Sequence, residues 1–151
     1  AKQITARLNY GDINVVNVNK VLLTMNYGSA NFDAVDVLSG KLNYSDIELG
    51  NVIKTADINI NYGDVEINNK SNNFELIKVQ ANYSDIELSL NETMSFSYDI
   101  TLLYGDINND LMEKHARRIT EKSYQTYMSG NINDADQRHK IIINGNYSDV
   151  E

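Results

Sequence analysis

The chain has no cysteine, no proline and a shortage of positive charge. Without cysteine there are no disulfide staples and no thiolate chemistry. Without proline, no backbone donor is missing anywhere in 151 residues, which suits a long β-ladder. No run of 18 apolar residues occurs, so a transmembrane helix is not expected, and no signal peptide is visible. Thirteen Lys and Arg stand against 21 Asp and Glu, for a net charge of −8. That balance argues against nucleic acid, whose binding depends on basic groups neutralising phosphates. It argues equally against adsorption to anionic lipid. A cation, a basic protein or an uncharged glycan is the more natural partner.

At 42 % apolar and 23 % charged residues, the chain reads as one globular domain spanning 1–151. Asparagine is the commonest polar residue, with 22 copies, and it suits tight turns and the left-handed backbone region. The first residue is Ala1 rather than Met, and the last, Glu151, falls inside a motif. Removal of an upstream segment and continuation downstream are therefore expected.

An internal repeat dominates the sequence. Six close copies run Leu8–Val15, Met25–Phe32, Leu42–Leu49, Ile60–Ile67, Ala81–Leu88 and Leu102–Asn109. A degenerate copy lies at Met128–Asn133 and a final one at Gly145–Glu151. Successive tyrosines, from Tyr10 to Tyr104, are 17, 17, 18, 21 and 21 residues apart. Tyr147 follows after 43, room for two turns with the degenerate copy between them.

One copy can be read physically. Leu8 and Tyr10 share a side-chain parity, as do Ile13 and Val15, but the second pair is offset by one residue. Strand side chains alternate, so a phase is lost at Gly11-Asp12. That marks a corner between two strands with apolar residues inward, and it places the tyrosine inward too. Further strand-like stretches follow, including Val35–Leu38, Phe74–Ile77, Phe96–Ile100 and Ile141–Ile143. About three short strands per repeat make one turn of a parallel coil. The expected fold is all-β, a single-stranded parallel β-helix of about eight rungs of 17–21 residues, roughly 35 Å long at ~4.8 Å per rung. An antiparallel meander folded as a sandwich or barrel is the competing architecture. Asp110-Leu111-Met112-Glu113 resembles a capping box, and Leu111, Met112, His115, Ala116 and Ile119 fall at helical spacing, which predicts a short helical insertion within 110–124.

The Asn-Tyr-Gly/Ser-Asp-Ile/Val-Glu copies resemble the β-strand-repeat "adhesin" domains of exported bacterial proteins, a family of unknown function. The resemblance covers the whole chain. It implies a β-helix, a cell-envelope or extracellular location, and no established catalytic activity. It carries no site residues with it.

Stacked copies turn each motif position into a ladder. Asp46/Glu48, Asp64/Glu66 and Asp85/Glu87 then form a double carboxylate strip. Unit charges ~5 Å apart repel by about 1 kcal/mol in water and about 3 kcal/mol at an effective dielectric of ~20. A bound Ca²⁺, which accepts several oxygens at flexible geometry, would offset this. Alternatively, each Asp accepts corner N–H bonds while each Glu is solvated. Stacked tyrosines offer either corner packing or a sugar platform, and the asparagine before each Tyr points outward to bond rung to rung.

Enzyme chemistry is not expected. Paired carboxylates can hydrolyse glycosidic bonds, but acid and base need distinct environments, and repeating equivalent ones supply the opposite. His115 and His139 have no metal-ligand spacing, and no phosphate loop or nucleophile elbow is present. Lys114, Arg117, Arg118 and Lys122 form a basic island on the predicted helix, read as a solvated face or a protein contact. The expectation is a non-enzymatic, extracellular or cell-envelope module of structural or adhesin-like kind without a resident cofactor. Glycan or Ca²⁺ binding through the ladders is the first alternative, and a carbohydrate-active enzyme the second. The partner, an unknown protein or glycan surface, is not encoded legibly, nor is the oligomeric state.

Overall fold

A computed structural model describes residues 2–70, 74–90, 93–133 and 139–151. Among the described residues the fold is all-β, with one short helix. The elements are β1 (Gln3–Leu8), β2 (Gly11–Asn61), β3 (Val65–Ile67), β4 (Leu76–Asn82), β5 (Ile86–Leu88), β6 (Phe96–Leu103), α1 (Asp110–Lys114), β7 (Ala116–Glu121), β8 (Gln125–Ile132) and β9 (Lys140–Asn146). Extended fully, the 51 residues of β2 would span about 170 Å at ~3.3 Å each. Instead β2 turns at its tyrosines and lies against itself, with Asn43 donating to Asn26 and Ser29 to Asp12, each 17 residues away. β1 joins it in parallel at the same offset, Gln3 opposite Lys20 and Leu8 opposite Met25. The sheet is therefore strongly curled and β-helix-like.

The apolar positions fill the inside of the curl. Phe32, Phe74, Phe96, Ile58 and Ile60 are fully buried. Pairing puts like residues in columns, such as Ile58, Val79, Ile143 and Ile100 on β2, β4, β9 and β6. Each such side chain stabilises by roughly 1.5–3 kcal/mol through water exclusion. No single turn could bury that face alone, so the stack is the folding unit.

Three expectations are corrected here. The eight copies do not stack in chain order: β9 inserts between β4 and β6, pairing parallel with both. The final copy is thus an interior rung, between the fifth and sixth. The degenerate copy does not join the parallel-paired strands: it lies in β8, which runs antiparallel to β6 and to β7. The pattern was ambiguous because the 43-residue gap fits either arrangement. Finally, the helix is only Asp110–Lys114, capped by Asn109, whose side chain accepts from the Met112 N–H at 3.1 Å. From Ala116 onward the chain is strand, because pairing with β8 satisfies its backbone where a short, isolated helix would be marginal. Arg117 and Arg118 therefore lie on β7 and Lys122 just beyond it, not on a helix face.

Met112 is fully buried against the core, and its carbonyl accepts from the Tyr98 hydroxyl. Burial pushes the Tyr98 phenol up to about 12 from its usual 10. A raised folded pKa means the native state holds a proton that the unfolded state releases first. The associated stability is complete below pH ~10 and lost as pH rises through ~12. Alkaline melts should show this loss in the wild type and a reduced one in Tyr98→Phe. Equal slopes would disprove the assignment.

Candidate functional site

The repeated corner carries the asparagine, tyrosine and aspartate ladders, and its geometry begins at tyrosine. Tyr27, Tyr44, Tyr62, Tyr83, Tyr104 and Tyr147 all have φ between 51° and 61°. This left-handed conformation reverses side-chain parity, so the phase is lost at Tyr and not at the following Gly or Ser. The inward tyrosine expected from parity is accordingly wrong: Tyr44, for example, is 52 % exposed, while the next residue, Ser45, is buried. Each such tyrosine costs roughly 1 kcal/mol of backbone strain. Tyr10 is the exception, since there Gly11 takes the positive φ.

Stacking offsets that strain. The rings run Tyr10, Tyr27, Tyr44, Tyr62, Tyr83, Tyr147, Tyr104, with centroids 4.8–5.3 Å apart and planes within 13°. An offset aromatic pair contributes about 0.5–1.5 kcal/mol beyond area burial. Neighbouring rings cover both faces of every interior tyrosine, so solvent meets ring edges and hydroxyls. A sugar could not stack on these interior faces, which confines the platform form of the glycan alternative to the ends of the column, such as the 80 % exposed Tyr10.

The asparagine ladder forms as expected. Asn26 donates to Asn9, Asn43 to Asn26, Asn61 to Asn43, Asn82 to Asn61 and Asn146 to Asn82, at 2.8–3.4 Å. Behind the tyrosines, buried serine hydroxyls accept backbone N–H groups: Gly28 donates to Ser45, Gly63 to Ser84 and Ser84 to Ser148. Gly63 is needed for closeness, since a Cβ there would fall 1.9 Å from the Ser45 carbonyl oxygen.

The acidic strip divides by role. Each aspartate accepts from the backbone N–H of the next rung: Ser29 to Asp12, Asp64 to Asp46, Asp85 to Asp64, Asp149 to Asp85 and Asp106 to Asp149, at 2.8–3.2 Å. Of the two readings of these carboxylates, the corner-capping one describes Asp46, Asp64 and Asp85. The glutamates are in register, Glu48 opposite Glu66 and Glu66 opposite Glu87. Insertion of the final copy adds a fourth pair, Asp149 and Glu151, which the sequence order concealed. All of these carboxylates from Asp46 to Glu87, together with Glu151, line a shallow recess of about 430 Å³. Among the described residues, no group of three or more His, Cys, Asp and Glu is arranged to hold a metal ion. His115 and His139 are apart from the strip, and the His139 ring meets the Phe74 carbonyl.

Residues 1–144 match the family model Toastrack DUF4097, a domain of unknown function. The chain belongs to the Toastrack family. No curated protein and no solved structure matches it. The Toastrack fold is β-helix-like, in keeping with the curl described above. Among the described residues, no helix of this Toastrack domain is long and apolar enough to cross a membrane.

Proposed function

We propose that this Toastrack domain is a non-enzymatic structural or adhesin-like module of the cell envelope or extracellular space. In this reading it is a single-stranded parallel β-helix interrupted by the β7–β8 hairpin, and its laddered corner meets a protein or glycan surface. The supporting observation is the uniformity of that corner. Equivalent Asn, Tyr and Asp side chains recur rung after rung, with the Asn amides and Asp carboxylates engaged in inter-rung hydrogen bonds. The same Asp–Glu pair recurs from Asp46/Glu48 to Asp85/Glu87, so no one position is set apart for acid–base work. It favours a repetitive, flat partner, recognised by rows of phenol edges and amides. A second reading, Ca²⁺ drawn to Glu48, Glu66, Glu87 and Glu151, is supported by their shared recess and requires these side chains to converge, since no three of them stand as a metal site.

A glycan and mucin array, run with calcium and with chelator, tests both. Binding that survives the chelator supports the corner as an adhesive surface. Binding lost with chelator, together with a lower melting temperature, supports the cation reading. No binding in either condition removes the glycan-adhesin form and leaves a scaffold for protein partners.

A further inference from the structure

The outer face is periodic except where the β7–β8 hairpin joins the sheet. There Lys140 pairs with Ser97, and Ser97 pairs in turn with Asn131. One row along, Asp99 pairs with Ser129, and Ser129 with Arg118. The register between β7 and β8 slips between Ala116 and Arg118, which makes Arg117 the extra residue of a bulge. Bulges re-aim a side chain. Here Arg117 joins Lys140, Ser97, Ser129, Asn131 and Asp99 around one recess of about 270 Å³.

The members of this cluster differ in how far they are already engaged. Arg118 lies over the Tyr127 ring at 5.6 Å, and the Tyr127 hydroxyl lies 3.5 Å from Asp99 Oδ2. The Arg117 guanidinium and the Lys140 ammonium make no hydrogen bond or ion pair with any described residue. Lys140 on β9 and Arg117 on β7 are three strand spacings apart, ~14 Å at ~4.8 Å each, a gap that two long cationic side chains can lean across over Ser97, Ser129 and Asn131. Two cations, two hydroxyls and an amide outweigh one carboxylate, in a chain whose net charge is strongly negative. Guanidinium matches the planar edge of an oxyanion, and ammonium adds a mobile point charge.

We propose that this recess binds an oxyanion of the sulfate, phosphate or carboxylate kind, either free or carried on an acidic glycan. It is independent of the corner ladders and of the function proposed for them.

Titration of the full chain with sodium sulfate, followed by amide NMR against sodium chloride at equal ionic strength, tests this. Sulfate-specific shifts are expected at Ser129, Gly130, Asn131 and Lys140. The Arg117→Ala/Lys140→Ala double variant should weaken sulfate at least about ten-fold, whereas Lys20→Ala/Lys54→Ala, with the same charge change on exposed sites, should alter it less than about two-fold. Thermal melts confirm that both variants are folded. Dextran sulfate and neutral dextran then distinguish the source. Tighter binding of the sulfated polymer, lost in the first double variant, indicates a glycan-borne anion. Equal affinity per sulfate indicates a free one. Shifts scattered over the surface, equal losses in the two double variants, or no sulfate-specific shift would each overturn the proposal.

Discussion

Gly130→Ala should lower the melting temperature by about 6–12 °C, the equivalent of roughly 3 kcal/mol at this chain length. The new methyl would lie 2.5 Å from both the His115 carbonyl oxygen and the Tyr98 hydroxyl. Neither contact yields easily. The carbonyl is backbone beside β7, and the Tyr98 ring is buried with its hydroxyl on Met112. Relief on either side separates the hairpin from β6 or opens the capped end of the core. Gly40→Ala is the control, since its methyl would meet one atom, the Cδ1 of the buried Leu42, and at a longer 3.3 Å. A fall of less than about 2 °C is expected there. If the two variants melt alike, close packing between hairpin and core is not what demands glycine at 130.

The second large effect concerns the ring column. Tyr83 stands between Tyr62 and Tyr147, with φ at 53°. Tyr83→Ala removes two stacking contacts yet retains a side chain in the left-handed region, so a loss of about 2–3 kcal/mol is expected. Tyr83→Gly removes the same contacts but relieves the strain, and should be the more stable of the two by about 1 kcal/mol. Chemical denaturation of both variants measures this difference. An alanine variant equal to or better than the glycine one would mean that strain at the corner is negligible.

The legible part of the fold was the part fixed by local chemistry. Asn26, Asn43, Asn61 and Asn82 bond amide to amide because side chains at equal motif positions must meet in a stack, and sequence alone implied that. The aspartates cap N–H groups for the same reason. The direction of the tyrosines was hidden by an energetic exchange: a bulky residue in the left-handed region is unfavourable alone and becomes acceptable only inside a continuous stack. Parity counting assigned the phase change to Gly and Ser, the residues that usually host it. Strand order was hidden differently. β9 has the same pattern as its neighbours, so nothing local distinguishes a place beside β4 from one at the end of the series. The oxyanion recess was invisible because Arg117 faces it through a register slip and Lys140 through an insertion, both long-range events. Of its two cations, Arg117 belongs to the basic island that helical spacing places on a helix, which ends at Lys114, and Lys140 lies outside that island.

The placement of β9 determines how the domain comes apart. In a simple solenoid the terminal rung touches one neighbour and can fray by itself. Here the last regular strand bridges partners 64 and 43 residues earlier in the chain. Its departure would expose two edges and break the strand pairing between β4 and β6, leaving contacts such as Phe74 on Phe96 and Asn109 on Leu88 to join the two parts. The far half cannot be completed during synthesis until β9 has emerged. Assembly and unfolding of this end are therefore concerted, and copies can be added or deleted without rewiring only among the rungs before β4.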